Sequence, residues 1–498
     1  MRQVTIVGVL LLVVMVMGAP GTLSAQGPDD WAEPYQAGML PGYVGDMAAY
    51  ESAPRYDIDM ALSFNEYGDA IITGHQVVRY TNRTEAALPD VVFRLYPNLE
   101  SFGGVMMVEN VLVDGIAVEP SLDDTSSVLT VLLPIPLEPG ASVTFDMDFG
   151  VQVYRNVVEL YAQFSYLGDV LALPNAYPVL SVYEPGAGWW QVTDHPQGDA
   201  VFSQTAFYTV DITAPEDLVV VASGVEVETV GNGDGTLTHV YVAPLMRDFA
   251  IMSSAEYTVL SGEQDGVTIN VYYLAEDDPD GATAQVGLEM TQDAVRIFNA
   301  AYGVYPFAEL DVVQTPTDAG GIEYPGLFVV ASDYWNRNDS FFEVVIVHEA
   351  AHQWWYSLVG NDQTLEPWID EALAQYSVAV YHRALEGEAA FEAVMANYAT
   401  QYARYTPAPD ESPVIGEPVT AYSRNAYYYV VYQRGPLFYG ALVDEYGYEQ
   451  VELMLQDLFA GYRYDYLETG DVLASFETTL GDDLDDFFAE WVGEFPVG

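Results

Sequence analysis

The sequence predicts a multidomain α+β protein. An N-terminal antiparallel β-sandwich-like domain precedes a mixed α/β, mainly helical domain. Three observations carry that prediction. From Arg55 onward, apolar and polar residues alternate with a period of two in short runs, as in half-buried strands. Turn residues separate these runs at close intervals, with almost no helical period among them. Near Gly262 the texture changes, and from Ser340 onward helical patterns dominate.

Taken in order, the chain divides into four parts. Residues 1–25 read as a secretory signal. Met1 and Arg2 give a short positive start, residues 4–17 are apolar apart from Thr5 and Gly8, and Leu23-Ser24-Ala25 places cleavage after Ala25. The other reading, an uncleaved anchor, meets a run short of the about 20 residues a span needs. The expected location is therefore secreted or extracytoplasmic, with no integral membrane association after cleavage. Residues 26–54 are rich in Gly, Pro, Asp and Ala without period, and read as an N-terminal extension, mostly loop.

Residues 55–262 form the β-domain. Ile58, Met60, Leu62 and Phe64 alternate with polar neighbours, and further strands are expected over 71–81, 91–96, 128–133, 143–149, 202–213, 218–222 and 239–243. Asn65-Glu66-Tyr67-Gly68 and Glu138-Pro139-Gly140 are turn signals between them. Residues 263–498 form the second domain, with strands over 267–274, 310–314 and 327–331 and a helix over 284–302. The spacing of Ser340 and Glu343 is that of a capping box, and Gly360-Asn361 is a stop signal for that helix. A following helix is expected to begin at Pro367 and end near Gly387.

Composition narrows the function. The chain of 498 residues carries a formal charge of −60, and its fourteen basic residues are all Arg. Such a surface repels nucleic acid and acidic membranes, so neither is an expected partner. It reads as a strongly solvated surface or as adaptation to high salt. There is no Cys, which excludes disulfides, thiol catalysis and thiolate metal ligands. Oligomeric state is not legible.

The chemical signal lies in residues 342–376, FEVVIVHEAAHQWWYSLVGNDQTLEPWIDEALAQY. His348 and His352 are four apart, so on a helix both imidazoles reach one metal ion. Glu349 projects beside them, placed to act on a metal-bound water. Glu371 follows His352 after eighteen residues, on the second helix. It would complete three protein ligands and leave a fourth position open, the arrangement of a catalytic zinc. His75, His195 and His239 are expected as surface or turn residues, His382 as too far along its helix to share the ion, and Trp354-Trp355 as core.

These motifs resemble the alanyl aminopeptidase family of gluzincin zinc metallopeptidases. The resemblance rests on His348-Glu349-Ala350-Ala351-His352 with Trp368-Ile369-Asp370-Glu371-Ala372. Two further segments match: Gly320-Gly321-Ile322-Glu323-Tyr324 before the zinc helix, and Tyr432-Gln433-Arg434-Gly435 after it. The resemblance implies a thermolysin-like catalytic domain holding one zinc ion on His348, His352 and Glu371, with Glu349 as general base. It implies that Glu323, in the Gly320-Gly321 segment, binds the free amine of a peptide, and that Tyr432 donates to the oxyanion. The expected function is a zinc metallopeptidase, an aminopeptidase cleaving the first peptide bond of substrates with a free N-terminus by attack of zinc-bound water. Departures are Asp370 and Ala372 for the family's Asn and Gly, and Tyr324 for its Asn. The long members' helical C-terminal domain has no counterpart, and residues 172–185 do not match the segment carrying the N-domain Gln. Two alternatives remain: a zinc endopeptidase of thermolysin type, against which Gln375 stands where that type has Asp, and an inactive secreted binding scaffold.

Overall fold

Arg55–Phe64 and Ala70–Thr81 form a hairpin. Its turn is held by the Asn65 side chain, whose Oδ1 accepts from the amides of Tyr67 and Asp69, and by Gly68 at φ 83°. In this computed structural model, which describes residues 31–193, 197–335, 340–409 and 411–493, the hairpin is the middle of an eight-stranded sheet. The order is Val225–Gly231, Thr236–Met246, Ala206–Pro215, Arg55–Phe64, Ala70–Thr81, Ser142–Val153, Gly104–Val113, Ile116–Ala117. The segment read as an export signal and His195 lie outside the described residues.

Alternation is visible in Ser142–Val153, where Val143, Phe145, Met147, Phe149, Val151 and Val153 are buried and the residues between are not. That inner face meets a four-stranded sheet containing Leu88–Arg94 and Val128–Leu137, with the Phe93 and Phe145 rings 5.1 Å apart edge to face. One pairing departs from the antiparallel expectation: Arg55–Phe64 runs parallel to Ala206–Pro215. Periodicity assigns a face to each residue but not a direction to a strand that returns after a long connection. Gly104–Val113 and Val225–Gly231 were not foreseen: the first has an irregularity between Glu109 and Leu112 that breaks its alternation, and the second is exposed along almost its whole length.

The second layer system begins upstream of residue 263. Tyr257–Gln264 (β1) pairs with Val267–Leu274 (β2) across a turn in which Asp265 and Gly266 both take positive φ. This hairpin spans the expected boundary at 262–263, so residues 257–262 share a sheet with the strands that follow. The sheet continues through Glu309–Thr315 (β3) and Leu327–Ala331 (β5) to an edge strand, Gly321–Tyr324 (β4), antiparallel to β5. Helix α1, Ala282–Ala301, packs on this sheet, and α2 (Ser340–Ala351), α3 (Trp368–Glu386) and α4 (Glu388–Tyr402) follow. Helix α3 begins after Pro367 and ends at Gly387, as the sequence predicts. Helix α2 ends at Ala351, well short of the Gly360-Asn361 signal. The chain turns there because Trp354 and Trp355 must both be buried, and the turn is held by bonds from the Ser357 amide to the His352 carbonyl and from the Val359 amide to the Trp354 carbonyl.

Residues 31–54 form two short 3₁₀ segments with Tyr35 and Met47 buried, and Asp46 pairs with Arg463 at 2.7 Å. Arg247 joins the two halves. Its guanidinium is buried and donates to the carbonyls of Tyr356 and Ser203, at 2.8 and 3.1 Å. Gly360 makes room for it, since a Cβ there would fall 2.1 Å from the guanidinium carbon. The turn after α2 is thus tied to the β-domain, which positions the end of the helix with His348 in its last turn and His352 just beyond it. Among the described residues, no helix is long and apolar enough to cross a membrane.

Candidate active site

His348, in the last turn of α2, and His352, just past its end and bonded from its amide to the His348 carbonyl, point toward Glu371 in the first turn of α3. His348 Nε2 lies 3.2 Å from Glu371 Oε2 and 3.1 Å from His352 Nε2, and His352 Nε2 lies 3.6 Å from Glu371 Oε2. Ligand atoms about 2.0–2.1 Å from a tetrahedral zinc would be about 3.3 Å apart, so the three donors already have the required spread. His352 Nδ1 is 3.0 Å from the Trp355 carbonyl. That carbonyl can only accept, so Nδ1 carries the proton and the Nε2 lone pair faces the site. The residues present therefore fit a zinc ion.

Electrostatics agree. Burial raises the Glu371 carboxyl, but hydrogen bonds with both histidines outweigh it and hold the group down to about 2. Burial pushes Glu349 up to about 8, with His352 opposing and Glu371 and Asp199 adding to the rise. Glu323 is likewise raised, by burial first and by the neighbouring carboxylates. A dication at the three-ligand point would offset this crowding of acids.

Glu349 sits one residue past His348, outside the ligand triangle, with Oε2 unpartnered among the described residues. Strand β4 runs against it. A Cβ on Gly321 would lie 2.5 Å from Glu349 Cγ and 2.6 Å from its carboxyl carbon. Only Gly allows that approach. Gly321→Ala is expected to displace Glu349 and lower kcat about 10²-fold with zinc content retained. A kcat within twofold of wild type would show that Gly321 does not set the position of Glu349.

Glu323 is on the same strand and buried, and its Oε1 accepts from Gln363. The strand end is latched by Gln353, whose Nε2 donates to the Tyr324 carbonyl and whose Oε1 accepts from the Gly326 amide, both at 3.0 Å. Gly320 lies just before the strand, and its carbonyl accepts from the Ala331 amide. Among the described residues the outer edge of β4 is unpaired, and Gly321, Ile322 and Glu323 line the same cavity. Tyr432 lies on a π-helical turn, Tyr428–Arg434, and donates to Glu371 Oε1. Close approach of its helix to α3 depends on Gly435, whose Cβ would fall 2.6 Å from that of Ala372.

One cavity of about 680 Å³ joins these groups. His348, Glu349, Glu371, Glu323, Gly320, Gly321 and Tyr432 all line it, and Tyr161, Gly198 and Asp199 close it from the β-domain. Tyr161 sits at φ 56°, and its carbonyl accepts from the Asp318 amide near Gly320. Residues 172–185 do not line the cavity. Gln375 bonds Tyr398 at 3.1 Å. His75 is paired with Asp148, His239 with Glu226 and His382 with Glu386, while Trp354 and Trp355 are core. Gln363, Asp199 and Tyr161 were missed by sequence reasoning. No local pattern marks them, because each reaches the site from a loop.

A profile for the peptidase family M1 domain matches residues 286–491. Aminopeptidase 2 of Candida albicans is 25% identical over 258 residues, covering 47% of this chain and 27% of that protein. Aminopeptidase N of Bos taurus is 23% identical over 332 residues, covering 63% of this chain and 34% of its own length. The chain thus spans about a third or less of these two relatives. Among solved structures, an M1 zinc metallopeptidase from Deinococcus radiodurans, in a mutant form, superposes with a TM-score of 0.67 at 19% identity, covering 89% of this chain and 95% of that one. The two-domain fold is therefore shared along nearly the whole length.

Proposed function

With a peptidase family M1 domain over residues 286–491, the chain belongs to the alanyl aminopeptidase-type gluzincins, and on that premise we propose that it is a zinc aminopeptidase removing the first residue of peptides with a free N-terminus. The observation that carries this reading is the meeting in one cavity of a three-atom ligand set, a carboxylate outside it, and a second carboxylate on an unpaired strand edge. His348, His352 and Glu371 would hold one zinc ion, which would supply Lewis acidity toward the scissile carbonyl and a water nucleophilic at neutral pH.

The remaining steps belong to the chain's own residues. The peptide adds to the free edge of β4 through main-chain hydrogen bonds. Glu323 accepts from the α-ammonium, which sets the first carbonyl at the ligand triangle. Glu349 takes the proton of the attacking water and delivers it to the leaving amine. The Tyr432 phenol turns from Glu371 Oε1 to donate to the oxyanion. Peptide binding in the Deinococcus relative, one of whose structures holds Tyr-Ser-Ala, supports a peptide substrate.

The test is a panel of aminoacyl-4-nitroanilides with N-acetylated counterparts, with and without chelator. Hydrolysis confined to free-amine compounds, lost on chelation and restored by zinc, is the expected result. Equal cleavage of both sets would instead indicate an endopeptidase, and no cleavage of either a binding scaffold.

A further inference from the structure

Gln363 stands between two carboxylates. Its Nε2 donates to Glu323 Oε1 at 2.5 Å and to Asp370 Oδ2 at 2.8 Å. The side-chain NH₂ has two protons, and both are used. The orientation of the amide is dictated by chemistry, because two carboxylates can only accept. All three side chains are buried, and Gln363 Oε1 has no partner among the described residues. Two buried donor bonds at the cost of an orphaned carbonyl oxygen are a strong local commitment.

The loop bearing Gln363 is held independently of the cavity. Asp362 accepts from Trp190 Nε1 of the β-domain at 2.5 Å, and from the amides of Thr364 and Leu365 at 2.9 and 3.0 Å. Asn361 Nδ2 donates to the other Asp370 oxygen at 2.8 Å. Asp370 in turn is rigid on α3, one residue before Glu371. A continuous bonded path therefore runs from the metal-ligand helix through Asp370 and Gln363 to Glu323.

We propose that Gln363 is a positioning residue for the amine anchor: it fixes Glu323 at a set distance from the ligand triangle and keeps it off the metal site. The need for such a device is visible. Glu323, Glu349 and His352 offer atoms within 4.8 Å of one another, so a released Glu323 carboxylate has a second ligand cluster within reach. Its strand is short and, among the described residues, paired on one side only, and the bond from Gln363 is the one that holds the carboxylate there. Gln363 occupies Oε1 and leaves the other oxygen for the substrate's ammonium. Asp370, where the family has Asn, suits the same arrangement, because Asn361 and Gln363 donate to its two oxygens separately and an Asn would turn an NH₂ toward one of those donors. The inference rests on the aminopeptidase reading.

The test uses Gln363→Asn, which keeps the amide but is one methylene too short to span both carboxylates, and Gln363→Met, which keeps the length without the donors. Each is measured for zinc content, melting temperature, and kcat/KM on leucine 4-nitroanilide and its N-acetyl counterpart. In a Glu349→Gln background, calorimetric binding of leucine amide and N-acetyl-leucine amide gives a readout independent of turnover. Both variants are expected to hold zinc and to lose at least about tenfold in free-amine preference, chiefly through KM, with leucine amide binding weakened to match. A preference within twofold of wild type, or equal losses on blocked and free compounds, overturns the role of Gln363 while leaving the aminopeptidase reading standing. A wild-type protein with no free-amine preference overturns both.

Discussion

Glu349→Gln is expected to lower kcat on aminoacyl nitroanilides by about 10²–10⁴-fold, the range a positioned general base contributes. The exchange preserves shape and removes only the capacity to take a proton. Glu349 lies outside the three converging ligand atoms, so zinc content should stay at wild-type level and KM should change little. Burial holds its carboxyl up to about 8 in the absence of a cation, and the neutral amide therefore suits the same pocket without an unfolding penalty. Kinetics at saturating substrate, paired with metal analysis, check this. A loss below about tenfold with zinc retained would remove Glu349 from the proton-transfer role.

Glu323→Ala is expected to act through a different term. Truncating one partner of a buried charge pair costs about 2–5 kcal/mol, so kcat/KM on free-amine substrates should fall by about 30-fold to several thousandfold. N-acetylated substrates, which have no ammonium to anchor, should be affected no more than a fewfold. The comparison of the two series is the measurement. Equal losses in both would mean that Glu323 supports the fold of β4 and not the recognition of an amine. The expectation is specific because the carboxylate is buried and lines the cavity, with one oxygen already bonded to Gln363.

The local part of the site was legible in the sequence. A helix brings residues four apart onto one face, so His348 and His352 needed no tertiary information to be paired, and their Nε2 atoms do meet at 3.1 Å. Pro367 and Gly387 bound α3 because Pro fixes a φ suited to the helix start and Gly admits the positive φ at which the helix ends. Buried strands such as Ser142–Val153 were legible for the same reason, since one face must be apolar. The exposed strand Val225–Gly231 was not, because nothing there enforces alternation.

What the sequence by itself determined was the ligand pair, the nearby base and the approximate division into a β-rich and a helical part, all set by spacing along the backbone. What only the tertiary structure decided was distance between segments far apart in the chain. Glu371 meets the histidines, Gly321 lies against Glu349, Tyr432 reaches Glu371, and Gln363 bridges Glu323 to Asp370. Those contacts depend on how buried Trp354, Trp355 and Arg247 fold the turn after α2 back on itself. A turn closed by long-range packing carries no period, so the loop residues that set the geometry of the site become visible only once the core has formed.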